Sequence, residues 1–230
     1  MIFGGFGGYL IYLAILLIIP IWAQWKVKST YKKYSKVRNE SNMTGAEVAR
    51  KILDENGLYN VAVEEVKGML SDHYDPRKKV VRLSSGNYHE PSAAAQAVAA
   101  HEVGHAIQDA EEYAFLKFRS SLAPVASIGS NMSIFILIAG VLFSISGLVL
   151  IGIVFMAFAV LFQFVTLPVE FDASNRAMNH LISSGVIRNN EEKQTKKVLN
   201  AAALTYVASA LVALLELLRF VLIFVGMNED

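Results

Sequence analysis

The chain has 230 residues, of which 54% are hydrophobic and 18% are charged, and its formal net charge at neutral pH is +1. So large an apolar fraction, gathered in long uncharged blocks, excludes an ordinary soluble domain and indicates a membrane protein. Cysteine is absent from the sequence, which excludes disulfides and thiolate metal sites.

The first apolar block is Ile2–Trp25, which carries no charge and ends with Trp22 and Trp25. Tryptophan is typical of the membrane–water interface, so we expect a spanning anchor over residues 1–25. A cleaved signal peptide is the alternative, but the block has neither a basic n-region nor a small-residue cleavage site. The segment Lys26–Arg38 then places six basic residues in thirteen. It suits anionic lipid headgroups and gives no reason to expect a nucleic-acid partner.

A small α+β domain is predicted for residues 26–122. Thr44–Glu47 has the form of a capping box, and the helix that it starts should end at Asn56–Gly57. Three strands follow, which we expect to pair as a short antiparallel sheet. They are predicted at Val61–Val66, Met69–Tyr74 and Lys79–Leu83.

His101, Glu102 and His105 form an H-E-x-x-H sequence, the most informative feature of the chain. Ser92 suits the N-cap of a helix over the alanine-rich run Ala93–Ala110, on which histidines at i and i+4 share one face. Two such histidines can hold one Zn²⁺, while the glutamate between them faces a water. The alternative is a helix that carries two surface histidines by chance. It is disfavoured because the whole chain has only five histidines.

Peptide hydrolysis is the chemistry typical of this motif. In a metallopeptidase, the strand Lys79–Leu83, just before the motif helix, could leave one edge open for an extended substrate. The alternative is an ordinary core strand. The sequence leaves both readings open.

The second apolar block, Ala123–Val169, contains no charged residue and is about twice as long as one span requires. We expect a helical hairpin over this block, with its turn near Ser144–Gly147. The last block, Ala201–Met227, is long enough for one more span and contains Glu216 and Arg219. These two residues are expected to form an ion pair inside the membrane, with a role in substrate gating as the alternative.

Four spans are therefore predicted, with polar segments at residues 26–122 and 170–200 and the last span within residues 201–230. Of the 21 Lys and Arg residues, all but Arg219 lie in those two polar segments. The positive-inside rule places both segments on the cytoplasmic side of the plasma membrane. A hairpin returns the chain to the side that it left, which gives the same answer independently. The N-terminus and Asn228–Asp230 should then lie outside the cell.

A catalytic zinc needs three protein ligands and an open position, so a third ligand is required. Glu170 is favoured because it follows Pro168, which suits a helix start, and because it would emerge beside the motif helix. The alternative is that Glu170 and Asp172 only complement the positive end of a helix dipole. The other candidates are His73, His89, His180, Asp109, Glu111 and Glu112.

Three segments together resemble one known family. They are Asp72–Arg77, Ala99–Gln108 and Pro168–Arg176, in that order along the chain. The sequence looks like the bacterial family of small membrane neutral zinc metallopeptidases, whose substrate is unknown, over nearly its whole length. It is more distantly similar to the HtpX-type and CAAX prenyl protease-type membrane gluzincins. The resemblance implies an α+β membrane protein with a zincin-like cytoplasmic domain.

The resemblance also implies one Zn²⁺ held by His101, His105 and Glu170, with Glu102 as the general base for a zinc-activated water. Where the distant relatives carry an aspartate that often orients a zinc histidine, this chain has Ser174. Asp172 is the alternative for that orienting contact.

Peptide hydrolysis also requires a group that stabilises the oxyanion of the tetrahedral intermediate. Arg176 is the first candidate, because it lies on the helix expected to begin near the third ligand. His73 and His180 are further candidates. Each of the three is also typical of a surface or salt-bridged residue.

Three functions follow from these patterns. The first is a membrane-bound zinc endopeptidase that acts on a peptide or protein substrate. The second is an inactive membrane scaffold with a structural metal, against which the retention of Glu102 counts. The third, an intramembrane protease, is disfavoured because acidic residues flank the motif helix and no ligand motif of that class lies in a later span. Assembly as a homo-oligomer is compatible with all three.

Overall fold

The computed structural model describes residues 5–228, apart from the side chain of Asn189. Predictions for residues 1–4, 229 and 230, which include part of the expected external ends, lie outside this range. The described chain is mostly helical with one small sheet. It divides into two compact units, one formed by residues 5–23, 117–168 and 205–228 and the other by residues 24–116 and 169–204.

Seven helices and three strands make up the described part of the chain. In chain order they are α1 (Phe6–Tyr34), α2 (Gly45–Glu55), β1 (Ala62–Val66), β2 (His73–Asp75), β3 (Val80–Ser84), α3 (Ser85–His89), α4 (Ala93–Ala110), α5 (Ala114–Leu142), α6 (Ser146–Ser183) and α7 (Asn189–Gly226). By length and composition, α1, α5, α6 and α7 are each able to cross a membrane. This agrees with the four spans predicted from the sequence.

The predicted hairpin turn is present, because α5 ends at Leu142 and α6 begins at Ser146. The helix start predicted beside Pro168 is wrong. Helix α6 runs without a break to Ser183, with Pro168 inside it. A proline removes one backbone hydrogen bond from a helix, and long apolar helices tolerate this loss because their other backbone bonds are all made internally.

The sheet has the strand order β1-β3-β2 and is mixed. Strands β2 and β3 form an antiparallel pair, whereas β1 runs parallel to β3. The purely antiparallel sheet predicted from the sequence is therefore wrong. The central strand, β3, is apolar and buried, so it needs a neighbour on both sides, and the long connection after β1 lets the chain return in the same direction. An open edge on this strand is likewise excluded, and the ordinary core strand is confirmed.

Helices α2 and α4 begin as their caps predict. Thr44 and Glu47 form the reciprocal capping box of α2, and Gly57 follows this helix with a φ of +72°. Ser92 caps α4 by accepting a hydrogen bond from the backbone N–H of Ala95 at 3.1 Å. The small, almost fully buried side chains of α4 allow close packing of neighbouring helices around the motif.

Candidate metal centre

Helix α4 places His101 and His105 one turn apart on the same face, as the i, i+4 spacing requires. Their ring centroids are 4.8 Å apart and the ring planes are nearly perpendicular, at 83°. Each imidazole is only 12% exposed. The two rings are therefore largely buried, on a helix whose other buried side chains are mostly small and apolar.

Helix α6 brings the Glu170 carboxylate to both imidazoles. Its Oε2 atom lies 3.3 Å from Nε2 of His101 and 3.6 Å from Nε2 of His105. Glu170 is 3% exposed, so the carboxylate is almost completely desolvated. Three potential ligand atoms from two helices thus lie within 4.8 Å of one another.

The two distances from the Glu170 carboxylate to the imidazoles fit a tetrahedral zinc site. Two ligand atoms about 2.1 Å from one Zn²⁺ at a tetrahedral angle lie about 3.4 Å apart. The two observed separations, 3.3 Å and 3.6 Å, bracket this value. Two imidazoles and one carboxylate are also the ligand set of one class of catalytic zinc site, which leaves a fourth position open.

A glycine permits the close approach of the two helices. A Cβ atom on Gly104 would lie 2.6 Å from the backbone oxygen of Ala173, closer than such atoms ever pack. Gly104 lies between the two histidines along α4, and Ala173 lies one turn after Glu170. The absent side chain therefore helps to set the distance between the histidines and the carboxylate.

The outer nitrogen of each imidazole has its own hydrogen-bond partner. Nδ1 of His101 lies 3.2 Å from the hydroxyl of Ser174, and Nδ1 of His105 lies 3.0 Å from Oε1 of Gln108. Ser174 shares a face with Glu170 because the two are four residues apart. Asp172 points elsewhere and contacts neither histidine ring by a described hydrogen bond.

Glu102 lies between the histidines in sequence and is 8% exposed. Burial is the main cause that raises the pKa of its carboxyl, and the charges of Asp72 and Glu170 add to this, against the opposing effect of the two histidines. Within residues 5–228 no hydrogen bond to the Glu102 carboxylate is found. The charges of both imidazoles thus act on this buried carboxylate.

The His105 imidazole also has a raised pKa. Burial alone would lower it, but the neighbouring carboxylates of Glu170 and Glu102 outweigh that effect. A metal must therefore displace protons when it binds here, as is usual for histidine ligands.

Comparison with known proteins identifies the family. A family model described as "Putative neutral zinc metallopeptidase" matches residues 9–225. This chain belongs to that family. It is also 53% identical over 209 residues to "Putative membrane protease YugP" of Bacillus subtilis (strain 168), which covers 91% of this chain and 93% of that protein. No solved structure matches the chain.

The family resemblance seen in three sequence segments is thereby confirmed. The names of the family and of the relative indicate a membrane zinc metallopeptidase, and four helices of spanning length agree with them. The more distant similarity to HtpX-type and CAAX prenyl protease-type enzymes stays a prediction.

The other candidate ligands lie apart from the cluster and have other partners. Asp109 pairs with Lys79 at 2.5 Å, and the ring nitrogens of the remaining histidines contact ordinary polar neighbours. These contacts join His73 to Ser71 and Arg82, His89 to Glu65, and His180 to Asn56. Among the described residues, His101, His105 and Glu170 form the one group that could hold a metal.

Arg176 is placed between two carboxylates. Its guanidinium donates to Asp172 at 2.5 Å and to Glu111 at 2.6 Å, and it lies over the ring of Tyr113. The structure thus gives Arg176 the contacts of a salt-bridged residue, which was the alternative to a role at the oxyanion.

Sequence reasoning missed two residues of this site, Gly104 and Gln108. For both residues, the sequence contains a feature that could have indicated their role. A glycine inside an alanine-rich helix is unfavourable unless another backbone packs against it. Gln108 is polar on a buried helix and lies three residues after His105, within reach of its side chain.

Proposed function

We propose that the protein is a membrane-bound zinc metalloendopeptidase in which His101, His105 and Glu170 hold one Zn²⁺. The supporting observation is that three ligand atoms from two helices lie within 4.8 Å of one another and that two of their separations are typical of tetrahedral zinc. When bound, the metal would polarise the substrate carbonyl and lower the pKa of a bound water. The family name supports zinc as the metal.

In this proposal Glu102 is the general base. Its carboxylate accepts a proton from the attacking water and delivers it to the nitrogen of the leaving amine. The raised pKa of the buried carboxyl favours this role, because a general base works best when its pKa lies near the operating pH. The retained Glu102 also argues against an inactive scaffold with a structural metal, since a structural site has no need for it.

An extended substrate would bind along β2 rather than β3. Strand β2 is an edge of the sheet, and its outer side pairs with no other strand in the described chain. Tyr74 of β2 donates a hydrogen bond to Asp109 of α4 at 2.7 Å, so the strand runs beside the helix that carries the histidines. A peptide that adds to this edge would extend the sheet by backbone hydrogen bonds.

The proposed location is the plasma membrane, with the zinc site on the cytoplasmic side. Support comes from the distribution of Lys and Arg between the two polar segments. Reporter domains inserted after Arg38 and after Lys197 should both be cytoplasmic, and a reporter fused after Asp230 should be external. Opposite sides for the first two reporters would separate Glu170 from the histidines and refute the site.

The substitution Glu102→Gln tests the assigned mechanism. An amide cannot accept the water proton, so hydrolysis of an unstructured protein substrate should fall by a factor of about 100 or more. Zinc content should stay near one per chain, because the three ligands are unchanged. Elemental analysis and a cleavage assay with and without chelator measure the two quantities. Wild-type turnover by this variant, or complete loss of its zinc, would refute the role of Glu102.

A further inference from the structure

Gln108 occupies a fully buried position on α4, three residues after His105. Its Oε1 atom lies 3.0 Å from Nδ1 of His105. Its Nε2 atom donates to the backbone oxygen of Val169 and to Oδ2 of Asp172, both at 2.8 Å. One side chain therefore uses every polar atom of its amide.

The two acceptors on α6 fix the orientation of this amide. A backbone carbonyl oxygen cannot donate, and Oδ2 of Asp172 already accepts a hydrogen bond from the Arg176 guanidinium at 2.5 Å. The NH₂ group of Gln108 must therefore face α6. Its carbonyl oxygen must face His105.

The orientation of the Gln108 amide in turn selects the tautomer of the His105 imidazole. Because Oε1 of Gln108 can only accept, Nδ1 of His105 must carry the hydrogen. The lone pair of the neutral ring is then on Nε2, the atom that lies 3.6 Å from Oε2 of Glu170. The tautomer of His101 is not fixed in this way, since the hydroxyl of Ser174 can either donate or accept.

We propose that Gln108 is a positioning residue that holds His105 with Nε2 ready to bind the metal and ties the helix of the histidines to the helix of the third ligand. This inference rests on the proposed zinc function. The buried carbonyl–imidazole contact is of the kind that fixes the orientation and basicity of a metal-binding histidine.

The test is the zinc affinity of the purified full-length protein, measured by competition with a chromophoric chelator. Gln108→Met keeps the length and burial of the side chain but removes all three hydrogen bonds. We expect its zinc dissociation constant to rise by about 10–100-fold. Gln96→Met is the matched control, because Gln96 is equally buried on the same helix and its described hydrogen bond is to Glu191. Its zinc affinity should stay within about threefold of wild type.

A second variant keeps the test decisive if Gln108→Met does not fold. Gln108→Leu is apolar and of similar size, and it removes the same three hydrogen bonds, so its zinc dissociation constant should also rise by about 10–100-fold. A wild-type zinc affinity in this variant would contradict the proposal.

Two results separate this inference from the proposed function. If the wild-type protein binds no zinc, both are wrong. If the wild type binds zinc and Gln108→Met binds it equally well, or if Gln96→Met loses as much affinity, the positioning role alone is wrong.

Discussion

Glu170 and Glu216 are both carboxylates on long apolar helices, and their surroundings differ. Oε2 of Glu216 is 2.6 Å from the guanidinium of Arg219, one turn along the same helix, and its Oε1 accepts a hydrogen bond from Tyr12 at 2.7 Å. Glu170 instead faces two imidazoles. An arginine keeps its proton and neutralises Glu216 permanently, whereas an imidazole gives up its proton to a metal and leaves the charge of Glu170 for the dication to offset. A buried carboxylate beside two imidazoles is thus the one to examine for a metal.

The Glu216 cluster has the features of a structural contact. The predicted ion pair with Arg219 is present, and the guanidinium also lies 4.4 Å from the ring centroid of Phe220. Charged side chains within a bilayer are costly unless they are paired, so this arrangement favours helix packing.

The largest expected effect comes from exchanging each of these carboxylates for its amide. Glu170→Gln should weaken zinc binding by about 4 kcal/mol or more, a factor of about 1,000, because a ligand charge is lost. Glu216→Gln should leave the zinc affinity unchanged. Asp172→Asn should show a smaller loss, since the described hydrogen bond that joins Asp172 to the site runs through Gln108. Zinc content after dialysis against a mild chelator measures all three.

The outcome of that comparison can also refute the ligand set. Stoichiometric zinc in Glu170→Gln, together with loss from Asp172→Asn, would assign the third ligand elsewhere. The two histidines could still bind the metal in that case.

A smaller effect is expected from Gly104→Ala. The added methyl group would force Ala173 away, and overpacking of this kind costs about 1–3 kcal/mol. Because Ala173 and Glu170 share one turn of α6, we expect zinc affinity to fall by about 10–100-fold, more than stability alone would explain. Gly147→Ala is the control, since a Cβ atom there meets nothing within 4 Å. An unchanged zinc affinity in Gly104→Ala would mean that the helix spacing does not set the site.

Local patterns made half of this site predictable. The spacing of His101 and His105 fixes their shared face without any tertiary information, and the caps of α2 and α4 follow from short-range hydrogen bonds. Glu170 lies far along the chain, beyond an uncharged hairpin, and it is predictable because such a hairpin returns the chain to its starting side. The family resemblance then favours Glu170 over seven other candidates for the third ligand.

Non-local contacts explain the predictions that failed. Strand β1 pairs in parallel with β3 because of burial on both sides of the central strand, which no short pattern reveals. Pro168 favours a helix start in the sequence, yet it lies within α6. The role of Gln108 depends on Val169 and Asp172, more than 60 positions away in sequence, so its amide orientation could not be read from α4 alone.

The smallest expected effect concerns the hydroxyl that supports His101. Ser174→Ala removes one neutral hydrogen bond, worth about 0.5–1.5 kcal/mol, so the zinc dissociation constant should rise by about 2–10-fold. Ser174→Asp supplies a charged acceptor for Nδ1–H, which forms a stronger bond, and should match or exceed the wild-type affinity. Ser183→Ala is the control, because that hydroxyl bonds to a backbone oxygen of its own helix. Ser174→Ala could instead bind zinc as tightly as wild type while Ser174→Asp binds it less well. The hydroxyl would then not orient His101. Of the two histidines, only His105 would then have a residue that orients it, Gln108.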